Sequence, residues 1–182
     1  MKLIEITEQK YNIKIDLAYA NNNNFTKKKI YNHNKCFIHK DALPNLVSSI
    51  KIANMLGYEL KIYDAYRPIE AQKILWKHTP DENFITPPDK GSPHSRGIAV
   101  DLTLVKNNKP INMGTKFDYL EKESHHGDSS ISIKAQKNRI TLLGIMITAG
   151  WDFYKNEWWH YQLFNSKKWP LLEEKIEKTN LI

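Results

Sequence analysis

The sequence predicts an α+β fold in a single domain that covers residues 1–182, with a mainly antiparallel sheet and flanking helices. A chain of 182 residues is long enough to bury one hydrophobic core. Hydrophobic residues make up 41% and charged residues 26% of the chain, a composition typical of folded proteins. Segments with strand and helix patterns follow one another irregularly, without the steady alternation that a parallel sheet would need.

The first half of the chain contains two strand patterns and two helix patterns. Apolar residues alternate with polar ones over residues 11–19, which is the period of a half-buried strand. Residues 42–56 have apolar positions at helical spacing, and Gly57 lies where a helix would end. A short strand over residues 58–62 follows, and Pro68 is well placed as the first residue of the next helix.

The second half begins with a proline-rich loop over residues 79–93 and continues into a strand at Ile98–Leu104. A helix is predicted from Ser132 to Ala149, where the serine suits an N-terminal cap. The last strong strand pattern covers residues 157–164. The tail over residues 169–178 is predicted to be helical.

Composition argues against several classes of protein. The single cysteine, Cys36, excludes an internal disulfide and a thiolate zinc cluster, and it fits a reducing cytoplasm. No apolar run approaches the roughly 18 residues of a membrane span. Glu5, Glu8 and Lys10 interrupt the apolar start, so we expect no signal peptide and a cytoplasmic location, with a periplasmic one left open for a processed form. The net charge of +7 comes from scattered lysines, so no nucleic-acid partner is expected.

Two pairs of polar residues lie beside apolar neighbours. Asp101 is in the middle of the predicted strand 98–104, where a buried carboxylate is unfavourable unless another group compensates its charge. His94 precedes that strand in a turn from which a loop can return to Asp101; an exposed Asp on an edge strand is the alternative. Glu157 and His160 are three residues apart and would meet only if Glu157 lies at the bend where its strand begins. The alternative there is a core histidine beside a surface glutamate.

One aspartate and two histidines form a suitable set of zinc ligands. Zinc binds imidazole nitrogen and carboxylate oxygen, and a catalytic zinc keeps three protein ligands and one open position. We therefore predict that His94, Asp101 and His160 bind one zinc ion per chain at the sheet. Such a site also needs a carboxylate that is not a ligand, and Glu157 is the available one.

Arg67 lies at a predicted strand-to-helix junction, in the segment Tyr63-Asp64-Ala65-Tyr66-Arg67-Pro68. A structural ion pair is one interpretation of an arginine at this position. Beside a zinc site, its planar guanidinium could instead stabilise a developing oxyanion or bind a substrate carboxylate.

Three ordered motifs, YDAYRP at 63–68, SPHSRGIAVDLTL at 92–104 and NEWWHYQLF at 156–164, resemble the VanX-type D-alanyl-D-alanine dipeptidases, which are zinc peptidases. Segments 16–26 and 113–118 extend this similarity, which spans roughly residues 11–164. The segment between Arg67 and His94 is shorter than in the vancomycin-resistance enzymes, so we expect a different rim around the pocket.

The resemblance implies roles for individual residues. It implies His94, Asp101 and His160 as zinc ligands, Glu157 as general acid and base, and Arg67 as the group that stabilises the tetrahedral intermediate. It further implies that Ser92 contacts the C-terminal carboxylate of the substrate, and that Asp118 and Tyr19 hold its free amino group. Without the family, Ser92 would be interpreted as a turn cap, Tyr19 as a core residue and Asp118 as a loop surface residue.

The resulting prediction is a zinc-dependent enzyme that hydrolyses D-Ala-D-Ala to two D-alanines. The expected partner is a small dipeptide, with no nucleic acid and no membrane, and the sequence predicts no particular oligomeric state. A D,D- or L,D-carboxypeptidase acting on longer peptidoglycan peptides is the alternative. A zinc-binding module without turnover is a further alternative, which the presence of both Glu157 and Arg67 disfavours.

Overall fold

The computed structural model describes residues 1–182 and contains a six-stranded sheet and a separate two-stranded sheet. The strands are β1 (Leu3–Ile6), β2 (Lys14–Ile15), β3 (Cys36–His39), β4 (Glu59–Asp64), β5 (Ala99–Lys106), β6 (Lys109–Pro110), β7 (Asp152–Phe153) and β8 (His160–Gln162). The helices are α1 (Glu8–Tyr11), α2 (Leu43–Met55), α3 (Ile69–His78), α4 (Ile133–Thr148) and α5 (Glu174–Glu177). None of these helices has both the length and the apolar character of a membrane span.

The large sheet has the strand order β2-β4-β5-β8-β7, with β6 paired beside β5. Only the β2–β4 pair is parallel, so the predicted α+β fold with a mainly antiparallel sheet is confirmed. Strand β5 lies in the middle, and all its residues from Ala99 to Val105 are buried. Its apolar face joins the hydrophobic core through Val100, Leu102 and Leu104. Its opposite face carries Ala99, Asp101 and Thr103, which are also buried.

Helices α2 and α4 pack against each other, and α2 also packs against β4. Helix α2 buries Leu46, Ile50 and Ala53, three of the residues whose spacing predicts it. It ends before Gly57, which has a φ of 76°, a conformation that glycine adopts without strain. The cap of α4 is Ser132, whose Oγ accepts a hydrogen bond from the N–H of Ala135. Both helices therefore form where local signals place them.

A two-stranded sheet of β1 and β3, which the sequence patterns do not predict, supports the turn before β5. The main-chain N–H of His39 in β3 donates to the carbonyl of Gly97 at 2.7 Å. Gly97 has a φ of 69°, and a Cβ there would lie 2.8 Å from the side chain of Leu3 in β1. This left-handed conformation favours glycine, and the hydrogen bond from His39 shows that the small sheet contacts the turn that carries His94.

Three predicted elements are wrong in extent. Residues 11–19 are not one strand, because Asn12 has a φ of 50° and the chain forms only the short β2 before a 3₁₀ turn at Ala18–Ala20. The predicted strand at 157–164 is shortened to β8. The predicted tail helix is reduced to the single turn α5, because Pro170 disfavours helical geometry at Trp169, whose φ and ψ are −98° and 130°. The apolar alternation over residues 11–19 arises because these side chains are buried or half-buried from an irregular backbone, not from one continuous strand.

Candidate active site

Strand pairing brings the polar residues of three strands into one row. Asp64 of β4 pairs with Asp101 of β5, and Asp101 pairs with His160 of β8. His94 reaches the same place from a 3₁₀ turn, His94–Arg96, immediately before β5. The N–H of Arg67 donates to the carbonyl of His94 at 3.2 Å, which ties that turn to the end of β4. Residues far apart in the chain therefore meet on the buried polar face of the sheet.

Three potential ligand atoms lie at separations that suit one metal ion. The Nε2 of His94 lies 3.3 Å from Oδ1 of Asp101 and 3.1 Å from Nδ1 of His160. The distance between Nδ1 of His160 and Oδ1 of Asp101 is 3.0 Å. Zinc bonds of about 2.0–2.1 Å in tetrahedral geometry place neighbouring ligands about 3.3 Å apart. The three side chains thus form one face of a tetrahedron, and their donor types fit zinc.

The outer nitrogen of each imidazole has a hydrogen-bond acceptor. The Nδ1 of His94 lies 2.7 Å from the carbonyl of Ala65, and the Nε2 of His160 lies 3.0 Å from Oε1 of Gln162. A carbonyl oxygen can only accept, so each of these ring nitrogens carries the proton and donates. With a metal bound, the inner nitrogens would offer it their lone pairs, an arrangement that the outer partners of metal-binding histidines usually ensure.

Asp101 is held in its charged form by the two histidines. Its side chain is buried, and burial by itself would raise the pKa of the carboxyl. His94 and His160 outweigh that effect and keep the pKa of Asp101 well below its ordinary value. A carboxylate that stays charged near neutral pH beside two imidazoles is the form that binds a divalent cation.

Glu157 lies beside this group of ligand atoms without belonging to it. It occupies the turn before β8, as the sequence hypothesis requires, and its Oε2 is 3.8 Å from Nδ1 of His160. Burial raises the pKa of Glu157 to about 8, although the charge of His160 opposes that rise. A carboxyl group with a pKa in this range can both accept and return a proton near neutral pH.

The guanidinium of Arg67 is held on three sides. Its Nε donates to Oδ2 of Asp64 at 2.8 Å, and its Nη1 donates to Oε1 of Gln72 at 2.9 Å. Its Nη2 lies 3.6 Å from Oδ2 of Asp101, and the ring of Tyr19 packs against the group at 5.2 Å. The remaining N–H groups lie beside the potential ligands, where an arginine can stabilise negative charge.

The other three predicted site residues surround the same space. The hydroxyl of Tyr19 donates to Oδ1 of Asp118 at 3.3 Å. Oδ2 of Asp118 is buried and has no hydrogen-bond partner, and Asp118 has a φ of 60°, in the left-handed region. Burial raises the pKa of this carboxyl well above its ordinary value. Ser92 Oγ accepts the N–H of His94 at 3.2 Å, so it caps the turn and also faces the cavity.

All the predicted site residues line one cavity of about 320 Å³: Tyr19, Arg67, Ser92, His94, Asp101, Asp118, Glu157 and His160. One side of its rim is formed by the loop that precedes Ser92, through Phe84, Ile85 and Pro87. A cavity of this size holds a small substrate rather than an extended polymer.

Sequence reasoning missed three buried or half-buried side chains that hold the site residues. Asp64 and Gln72 both hydrogen-bond to Arg67, and Gln162 hydrogen-bonds to His160. Gln162 follows His160 by two residues in a strand, and that spacing puts both on one face. A bulge between Ile62 and Asp64 shifts the register of β4, so Asp64 pairs with Asp101 on the polar face while Leu60 and Ile62 pair with residues of the apolar face, and strand alternation alone would not place it there.

Comparisons with known proteins agree with this arrangement. The peptidase M15 family model described as D-ala-D-ala dipeptidase matches residues 1–179. A D-alanyl-D-alanine dipeptidase of Escherichia coli K12 is 41% identical over 165 residues, covering 90% of this chain and 86% of that protein. A D-alanyl-D-alanine dipeptidase of Enterococcus faecium is 32% identical over 175 residues, covering 84% of this chain and 87% of that protein. The match over nearly the whole chain, together with a ligand triad and a flanking glutamate in one cavity, shows that the chain belongs to the D-Ala-D-Ala dipeptidase family of peptidase M15.

Proposed function

We propose that this protein hydrolyses the dipeptide D-Ala-D-Ala to two D-alanines and binds one zinc ion per chain through His94, Asp101 and His160. The observation that carries the proposal is the closeness of three ligand atoms, 3.0–3.3 Å apart, inside the cavity that also contains Glu157 and Arg67. Zinc at this position would supply a Lewis acid and lower the pKa of a water molecule towards about 7. Family membership and the names of the two relatives support the choice of substrate.

Glu157 is the proposed general base and acid. It lies close to the ligands but is not one of them, so its carboxyl group stays free to move protons. It would accept a proton from the attacking water and return it to the amino group of the departing D-alanine. Its position in a turn next to His160 keeps this carboxyl beside the reacting atoms.

Arg67 and the remaining cavity residues are proposed to bind the substrate. Arg67 would donate to the oxygen that becomes negative as the peptide carbonyl is attacked. Asp118 has a free buried oxygen that suits the substrate ammonium, and Tyr19 holds its other oxygen. Ser92 would donate its hydroxyl to the substrate carboxylate. An ammonium site so close to the scissile bond would limit substrates to dipeptides.

The test is a zinc analysis of purified protein combined with hydrolysis assays on D-Ala-D-Ala and on its N-acetylated form. We expect about one zinc per chain and rapid cleavage of the free dipeptide only. Faster cleavage of the N-acetylated peptide would favour the carboxypeptidase alternative, and absence of zinc would contradict the proposal. The single domain over residues 1–182, the cytoplasmic location, and the lack of nucleic-acid and membrane partners stay predictions from the sequence.

A further inference from the structure

We propose that Gln72 is a positioning residue that couples Arg67 to the rim loop, defined as residues 79–93. This inference rests on the proposed function, because it assigns the alignment of the oxyanion-binding Arg67 to a side chain that lines the cavity but has no proposed part in the reaction or in substrate binding. Gln72 lies in α3 and is 1% exposed. It is the one side chain that hydrogen-bonds both to Arg67 and to the rim loop.

One end of Gln72 helps to set the plane of the guanidinium. Its Oε1 accepts from Nη1 of Arg67 at 2.9 Å, while Asp64 accepts from Nε at 2.8 Å. Two acceptors on different nitrogens of a rigid planar group determine both its position and its rotation. Without Gln72, Asp64 would be the only hydrogen-bond acceptor left on the guanidinium, so the group could pivot about the Nε contact and its Nη2 could shift relative to Asp101.

The other end of Gln72 holds the rim loop. Its Nε2 donates to the carbonyl of Thr86 at 2.7 Å. The neighbours of Thr86, Ile85 and Pro87, line the cavity, and the loop contains no helix or strand before the turn at His94. The buried amide of Gln72 anchors this segment, because without it the half-buried carbonyl of Thr86 and the amide itself would both lose a partner.

Two substitutions separate the two contacts. Gln72→Met removes both hydrogen bonds at similar volume, whereas Gln72→Glu keeps an acceptor for Arg67 but places a carboxylate oxygen against the Thr86 carbonyl. We expect Gln72→Met to lower kcat about 10- to 100-fold, as expected for a catalytic group displaced by about 1 Å. For Gln72→Glu we expect a raised KM with a smaller change in kcat, because the main defect lies in the cavity rim.

A second readout needs neither zinc nor turnover. Lys90 is an exposed trypsin site inside the rim loop, and mass spectrometry can follow cleavage after it in metal-free protein. Both Gln72 variants should be cut faster there than the wild type. Gln136→Met is a matched control, because Gln136 also donates to a main-chain carbonyl, that of Ile131, but lies in α4. This control should change neither kcat nor cleavage after Lys90.

A double-mutant cycle identifies the route of the effect. If Gln72 acts through Arg67, adding Gln72→Met to Arg67→Lys lowers kcat by much less than it does alone. Full multiplication of the two effects, or a Gln72→Met protein with wild-type kcat per zinc and wild-type cleavage after Lys90, would overturn the proposal. If Gln72→Met does not fold, the Gln72→Glu results decide. A wild-type protein that binds zinc but does not cleave D-Ala-D-Ala would defeat the proposed function instead, and cleavage after Lys90 would still test the loop anchor.

Discussion

Replacement of Glu157 by glutamine tests the proposed chemistry most directly. The substitution keeps the size of a side chain that is only 7% exposed and leaves the three ligand atoms untouched. It removes the ability to accept a proton at a position 3.8 Å from His160 Nδ1. Zinc content should therefore stay unchanged while turnover falls.

The expected loss can be estimated from the two proton transfers assigned to Glu157. One general acid–base group contributes about 10²–10⁴ in rate, and a group used in both directions should lie towards the upper end. We expect kcat for D-Ala-D-Ala to fall about 10³- to 10⁴-fold, or about 4–5 kcal/mol in activation free energy. Because burial disfavours the charged carboxylate, the metal-free variant should be at least as stable as the wild type at neutral pH.

The assay measures D-alanine release by protein whose zinc content and unfolding midpoint are determined in parallel. Glu177→Gln is a suitable control, because Glu177 is also buried but does not line the cavity. Its carboxylate accepts hydrogen bonds from the main-chain N–H groups of Lys2 and Leu3. That variant should lose stability and keep its kcat. A zinc-loaded Glu157→Gln enzyme with kcat within tenfold of wild type would refute the proton-transfer role.

Three further changes have defined outcomes. His160→Ala should weaken zinc binding by more than about 100-fold, since even outer-shell partners contribute about 10- to 100-fold; unchanged zinc content would exclude His160 as a ligand. Asp118→Ala should reduce cleavage of free D-Ala-D-Ala more than any residual cleavage of its N-acetylated form, and equal losses would contradict the ammonium site. Burial, aided by Arg139, lowers the pKa of His126 to about 4, below the roughly 6.5 of an unfolded chain. The unfolded state therefore binds the proton first, and stability falls as pH drops from about 6.5 towards 4. His126→Phe should flatten that slope in urea unfolding, and an unchanged slope would show that other groups cause it.

Local signals were enough to predict helix α2, helix α4 and the central strand β5, and to propose a set of metal ligands, but not the small sheet of β1 and β3. Helix α2 and the central strand β5 have strong apolar periodicity, and Ser132 caps α4 through contacts within a few residues. Asp101 could be proposed because a carboxylate inside such an apolar strand needs compensation if the strand is buried. The three ordered motifs and the two segments that extend them suggested the remaining site residues through their resemblance to a family.

Only the tertiary structure decided what holds those residues in place. Leu3–Ile6 and Cys36–His39 become strands because they pair with each other across some 30 residues, and neither segment has a pattern that indicates its partner. Gln72 looks like an ordinary helix residue until Arg67 and Thr86 lie on either side of it. The sequence shows the type of each side chain, but folding brings its hydrogen-bond partners to it. The potential ligand residues could therefore be proposed from the sequence, and the groups that orient them could not.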